Sequence, residues 1–140
     1  MGRALRSIER ERDYRDCLKI AVWHHPLREI PDTGFIERLA AAGFRFALHG
    51  HIHRPLTELY RYDMSTAGRR LDLLGAGTFG APTHEWVPGF PLQYQLLELR
   101  GATLHVHTRR REEPSGAWRP DARWTHGPGA APTASYQLDL

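Results

Sequence analysis

The chain has 140 residues, of which 41% are hydrophobic and 25% charged, an ordinary composition for a single globular domain rather than a disordered or fibrous protein. The net charge is +3, and 18 arginines are interspersed with 16 acidic residues, which argues against a nucleic-acid-binding surface. The single cysteine, Cys17, excludes an intrachain disulfide and a cysteine-based zinc site. Because there is neither a long apolar run nor a signal peptide, we predict a cytoplasmic protein with no membrane partner.

A βαβ unit is predicted between residues 19 and 48. Residues 19–23 (KIAVW) form a short apolar run typical of a buried strand. Residues 35–40 carry apolar side chains at helical spacing, and Gly43 is a suitable helix stop. A second apolar run, residues 44–48 (FRFAL), follows at once. A strand, a helix and a strand within about 30 residues favour two parallel, adjacent strands.

The rest of the chain is predicted as one charged helix before this unit and mostly antiparallel strands after it. In residues 1–16, Leu5 and Ile8 give an exposed helix a thin apolar stripe. Arg100-Gly101 is a hairpin candidate, and 109–133 is predicted as a surface excursion rich in Pro, Gly and Arg. The later strands are predicted at 57–62, 71–74, 94–99 and 103–108, with a candidate edge strand at 136–140.

Histidines follow both strands of the predicted βαβ unit. Parallel neighbours place their carboxyl ends at the same edge of a sheet, where open α/β sheets bind ligands. Imidazole is the commonest metal ligand in proteins, and Gly50 allows the backbone to approach a ligand closely. The sequence therefore predicts a metal site at this edge, with five candidate residues: His24, His25, His49, His51 and His53.

A second H-x-H pair provides an internal comparison. His105 and His107 have the same spacing as His51 and His53, but they lie in the middle of a predicted strand. Leu104 and Val106 alternate with them, which is typical of a half-exposed strand with two solvated histidines. Spacing alone therefore does not predict a metal site.

Two segments resemble the last two motifs of calcineurin-like metallophosphoesterases. Residues 23–27 (WHHPL) match a strand that runs into H-H-P, and residues 48–55 (LHGHIHRP) match a strand that runs into G-H-x-H. Residues 74–78 (LGAGT) are similar to the segment that follows in the family. The resemblance covers residues 17–109 and leaves 110–140 outside the family-like core.

The resemblance implies a fold, a site and an activity. The fold would be α/β, the C-terminal half of a metallophosphoesterase-type β-sandwich flanked by helices, within a single partial domain spanning 1–140. His24 and His51 would bind one metal ion and His53 the other, with His25 beside the ligands. His49 would be structural. Family members hydrolyse phosphate monoesters, diesters or pyrophosphates with two divalent ions, commonly Mn, Fe or Zn, that share a hydroxide and neutralise phosphoryl charge.

The sequence departs from the family pattern in its earlier motifs. It contains no D-x-H and no G-D-x-x-D, and G-N-H is impossible because the chain has no asparagine. Imidazoles without a bridging carboxylate hold two dications poorly, so we expect at most one weakly bound ion and no activity from these residues alone. The resemblance implies a phosphate ester substrate once the site is completed by the missing N-terminal half. It also implies an uncovered apolar sheet face that favours self-association.

Two alternatives remain open at the level of sequence. The chain can be a non-catalytic remnant or interaction module with a vestigial or mononuclear metal site. Nucleic-acid binding through Arg109, Arg110 and Arg111 is the weakest hypothesis, because Glu112 and Glu113 follow at once and favour a solvated charged turn.

Overall fold

The computed structural model describes residues 2–32, 34–50, 56–61, 70–77, 79, 91–113, 115–123, 125 and 129–140, with 56–61 described at the level of the backbone. Two α-helices and eight strands make up the described part of the chain. The helices are α1 (Gly2–Arg10) and α2 (Phe35–Ala41). The strands are β1 (Lys19–Trp23), β2 (Phe44–His49), β3 (Leu56–Arg61), β4 (Arg70–Gly75), β5 (Leu92–Arg100), β6 (Thr103–Arg111), β7 (Arg119–Pro120) and β8 (Ser135–Asp139). No helix among the described residues is long and apolar enough to cross a membrane.

The first sheet, sheet A, contains the predicted βαβ unit. Its strand order is β1-β2-β4-β3. Strands β1, β2 and β4 are parallel, with Val22 opposite Leu48 and Leu48 opposite Leu74, whereas β3 pairs with β4 in the antiparallel direction. The carboxyl ends of three parallel strands therefore lie along one edge of the sheet.

One face of sheet A is covered by the two helices. Helix α2 begins after Asp32, whose carboxylate accepts a hydrogen bond from the Gly34 N–H at 3.2 Å, and ends before Gly43, whose φ of 81° suits glycine. The buried side chains of this layer are Leu5, Ile36, Leu39, Ala40, Ala42, Phe44, Ala47, Leu71 and Leu73.

The second sheet, sheet B, is antiparallel and centres on β6. Strands β5 and β6 form a hairpin whose turn contains Gly101 with φ 58°. On the other side of β6, β7 pairs with Arg109 and Arg110, while β8 pairs with residues 103–107. The strand predicted to end at Thr108 thus continues to Arg111.

Sheet B packs on the face of sheet A opposite the helices. Phe46 and Leu74 of sheet A lie against Leu104 and Val106 of sheet B, and all four are at most 2% exposed. The molecule is an α/β fold with a βαβ unit followed by mostly antiparallel strands, and this prediction is confirmed.

Strand β1 is one of the two outer strands of sheet A, and it stays partly uncovered. Ala21 and Trp23 pack on the helix side. On the other face Ile20 is 43% exposed and Val22 73% exposed. The strand therefore presents two large apolar side chains to solvent.

A buried carboxylate lies between the carboxyl edge of sheet A and sheet B. The Asp121 side chain is fully buried, and it accepts hydrogen bonds from Gln93 Nε2 at 2.6 Å and from Arg123 Nε at 2.8 Å. Gln93 packs so closely on Gly77 that a Cβ atom there would lie 2.3 Å from the Gln93 Cβ. These contacts hold two segments against Gln93 of β5: the one after β7, with Asp121 and Arg123, and the one after β4, with Gly77.

Candidate functional site

The candidate site is the edge of sheet A at which β1, β2 and β4 end. Trp23 and His49, the last residues of β1 and β2, are opposite each other in the register. The ladder continues past the strands, because the Gly50 N–H donates to the His24 carbonyl at 3.1 Å and the Ala76 N–H donates to the His49 carbonyl at 2.8 Å. We call the group His24, His25, His49 and Gly50 the histidine edge.

His24 lies against the backbone of Gly50. A Cβ atom built on Gly50 would lie 3.3 Å from His24 Nδ1 and 3.7 Å from the His24 carbonyl oxygen. His24 itself is exposed to solvent. The backbone at Gly50 therefore passes next to an imidazole that is accessible to an ion in solution. A side chain at Gly50 would crowd His24 Nδ1.

His25 lies beside His24 and turns toward the chain that follows. The two ring centroids are 5.0 Å apart at an interplanar angle of 80°. His25 Nδ1 is 3.2 Å from Glu29 Oε2, and 60% of the His25 side chain is exposed. Because Glu29 is one turn further along the chain, this contact orients the His25 ring.

His49 is the buried member of the histidine edge. Only 4% of the residue is exposed. Its ring is stacked on Trp23 with centroids 5.9 Å apart and an angle of 13°, and Trp23 meets Phe35 edge to face at 5.2 Å. His49 Nδ1 lies 3.2 Å from the Gly50 carbonyl, to which a protonated Nδ1 donates. These contacts suit the structural role predicted for His49.

The structure brings together three of the five predicted histidines. His51 and His53 lie outside the described residues, so the assignment of His24, His51 and His53 as metal ligands stays a prediction. Among the residues that are described, no group of three or more His, Cys, Asp or Glu side chains is placed to hold an ion.

Trp23 is the contributor to this edge that sequence reasoning missed. Its position at the end of an apolar strand predicted burial, but not the stacking on a histidine from the neighbouring strand. The register that pairs Trp23 with His49 depends on the irregularity between Lys19 and Ile20, and no sequence signal marks that irregularity.

Comparison with known proteins gives one structural likeness. No protein-family model matches the chain, and no curated protein matches it. The chain is similar to the crystal structure of a Vps29 single mutant from Entamoeba histolytica, a protein of the calcineurin-like metallophosphoesterase fold. The TM-score is 0.42 and the identity 16%, over 88% of this chain and 58% of that one. The chain thus spans less than two thirds of that protein, and the site assignment rests on the residues themselves.

Proposed function

We propose that this chain contributes the histidine half of a metal-dependent phosphoesterase site, acting on phosphate monoesters or diesters. The observation that carries the proposal is the contact between His24 and Gly50, because it joins the H-H-P and G-H-x-H segments at one edge of a parallel sheet. His24 and His51 would bind one ion, and His53 would face a second ion when carboxylates from elsewhere complete the site.

The donor set decides which ion these residues can hold. Three imidazoles suit Zn²⁺, Mn²⁺ or Fe²⁺, and zinc binds imidazole most readily among these three. The chain has no D-x-H motif to supply the bridging carboxylate. The proposal therefore assigns one imidazole-bound ion to this chain rather than two.

The residues of the edge have separate tasks in this proposal. His24 is exposed and can present a nitrogen to an ion, while Gly50 keeps the space beside it free of a side chain. The stacked rings of the partly buried Trp23 and the buried His49 fix the backbone that leads to His51. A bound dication would lower the pKa of a coordinated water and neutralise charge on the phosphoryl oxygens.

Zinc binding to the purified 140-residue chain tests the metal site. We expect isothermal titration calorimetry to give one Zn²⁺ per chain, with binding lost in His24→Ala and in His51→Ala. The matched control is His105→Ala, which removes a histidine from the other H-x-H pair and should bind zinc like the parent chain. Equal loss in the control would assign zinc to non-specific surface imidazoles and contradict the proposal.

Hydrolysis tests the assignment of this chain as half of a site. With Mn²⁺ and a chromogenic phosphodiester we expect no turnover by the chain alone. Turnover abolished by His51→Ala would show that the chain needs no other half. Zinc binding at the histidine edge without turnover, even after addition of a segment carrying D-x-H and G-N-H, would favour the non-catalytic module.

A further inference from the structure

A cluster of aromatic rings lies on the outer face of sheet B, which points away from sheet A. Phe79 is stacked on Trp118 with centroids 5.5 Å apart and an interplanar angle of 7°. Tyr94 meets both rings edge to face, at 5.7 Å from Phe79 and 4.6 Å from Trp118. We call these three residues the aromatic cluster.

Two arginines share this face with the aromatic cluster. The register pairs Arg109 with Tyr94 and Arg111 with Leu92, which places both arginines on the outer face. The guanidinium carbon of Arg111 lies 4.9 Å from the centre of the Trp118 ring, a cation–π contact. Strand alternation turns Arg110 to the opposite face, where it pairs with Glu112 at 2.9 Å.

The charges of these two arginines have no acidic partner within the described part of the chain. Among the described residues neither Arg109 nor Arg111 forms an ion pair, and the Arg111 Nε is buried without a hydrogen-bond acceptor. Glu112, the first acidic residue after the arginine triplet, therefore pairs with Arg110, and no described acidic side chain pairs with Arg109 or Arg111. Two cations that have no acidic partner among the described residues, and that lie beside aromatic rings, are complementary to an anion that carries a planar group.

Phe79 supplies the open ring of the cluster. Tyr94 and Trp118 are half-buried, as expected of side chains that fasten a loop onto a strand, but Phe79 is 62% exposed. Leu96 lies two residues beyond Tyr94 on the same strand face and is 53% exposed, so it adds apolar surface next to the aromatic cluster. Phe79 therefore keeps most of its surface accessible to a further ring.

We propose that the aromatic cluster with Arg109 and Arg111 binds single-stranded nucleic acid. A base would stack on the exposed Phe79 ring, and the adjoining phosphates would contact the guanidinium groups of Arg109 and Arg111. A flat surface with one open ring suits a polymer that adds several weak contacts, whereas a free nucleotide needs an enclosing pocket. This inference does not depend on the metal site.

Fluorescence anisotropy with a labelled oligothymidylate of about twelve nucleotides tests the proposal. We expect salt-sensitive binding by the parent chain, weakened at least about fivefold by Phe79→Ala, since a stacked base contributes roughly 1–3 kcal/mol. The double variant Arg109→Gln/Arg111→Gln should lower the slope of log affinity against log salt by about 0.7 for each lost phosphate contact.

Matched variants separate this surface from general charge effects. Tyr14→Ala removes an aromatic side chain of similar exposure, and Arg10→Gln/Arg12→Gln removes two exposed cations near α1; both should bind the oligonucleotide like the parent chain. Thermal unfolding of every variant confirms that it is folded. No binding by the parent chain at low salt, or equal weakening in the matched variants, would overturn the proposal. Equal affinity for duplex DNA or for thymidine monophosphate would also overturn it.

Discussion

Gly50 is the residue at which a single added carbon should separate metal binding from folding. In Gly50→Ala the new Cβ would lie 3.3 Å from His24 Nδ1, so the imidazole must shift by a few tenths of an ångström. We expect the affinity for zinc to fall roughly tenfold, as it does when residues that orient metal ligands are changed. Calorimetric titration of the variant with Zn²⁺ measures the change.

The control for this substitution is Gly116→Ala. Its added Cβ would also have a neighbour at 3.3 Å, the Glu113 carbonyl oxygen, but it lies away from the histidine edge. We expect this variant to bind zinc like the parent chain. A similar loss of zinc affinity in both variants would show that the contact between Gly50 and His24 has no particular role.

Asp121 links stability to pH. Burial by itself would raise the pKa of this carboxyl group, but hydrogen bonds from Arg123 and Gln93 outweigh it and hold the pKa below its ordinary value of 3.8. A lowered pKa in the folded state stabilises the fold fully above the unfolded-state pKa, and this contribution is lost as pH falls through the folded-state pKa.

We therefore expect Asp121→Asn to lower the free energy of unfolding by about 2 kcal/mol at pH 7, the scale of hydrogen bonds to a charged group. The difference from the parent chain should shrink as pH falls below 3.8, because the unfolded parent chain takes up a proton there before the folded carboxylate does. Urea unfolding of both proteins from pH 7 down to pH 3 measures this. A difference independent of pH would assign the effect to packing alone.

At the scale of elements, β1 combines an outer position with exposed apolar side chains. An outer strand presents unpaired backbone groups, and Val22 and Ile20 add apolar surface to it. We expect the parent chain to associate as its concentration rises and Val22→Lys to shift it toward the monomer. The free energy of unfolding should stay within about 0.5 kcal/mol, because Val22 is 73% exposed.

Light scattering over a range of concentrations follows this association. Tyr14→Lys serves as the comparison, since Tyr14 is also exposed but belongs to no strand. If the lysine at position 14 dispersed the chain as well as the lysine at position 22, net charge rather than the strand would control association.

Local patterns predicted the elements of this fold better than they predicted its long-range contacts. The apolar runs before His24 and His49 predicted β1 and β2, and the helical spacing of apolar residues between them predicted α2. These elements are predictable because burial of one face gives a periodic pattern of apolar residues. No local pattern predicted that β4 lies between β2 and β3, since the pairing of strands far apart in sequence depends on the whole sheet.

The same distinction holds for individual side chains. Burial of Asp121 could not be predicted from a segment rich in Pro, Gly and Arg, because its partner Gln93 lies 28 residues earlier and reaches it only when β5 and β7 flank β6. The arginine triplet looked uniform in sequence, and the strand divides it between two faces. At the candidate site, the sequence predicted that histidines would share an edge, but not that Trp23 would lie under His49.

At the scale of the whole molecule, the central strands of sheet A, β2 and β4, are covered on both faces, by helices on one and by sheet B on the other. A layer shared by two cores couples them, so we expect one unfolding transition rather than two. Leu39→Ala in the helix layer and Leu104→Ala in sheet B should each lower the free energy of unfolding by about 2–5 kcal/mol.

Circular dichroism and tryptophan fluorescence, recorded in the same urea series, check this coupling. Their midpoints should coincide in the parent chain and move together in both variants. Separate midpoints, with only one of them shifted by Leu104→Ala, would show that sheet B unfolds on its own.

The hydrogen bonds that extend the ladder to Gly50 and Ala76 have a consequence for how such a chain can be altered. Because they are made by backbone groups, the positions of His24 and His49 are independent of the side chains that follow them. Segments beyond His53 and Gly77 can therefore be exchanged or lengthened, by natural variation or by design, while the two histidines keep their spacing. Variation in those segments could therefore change the surface around this edge of sheet A without rebuilding the strand ends.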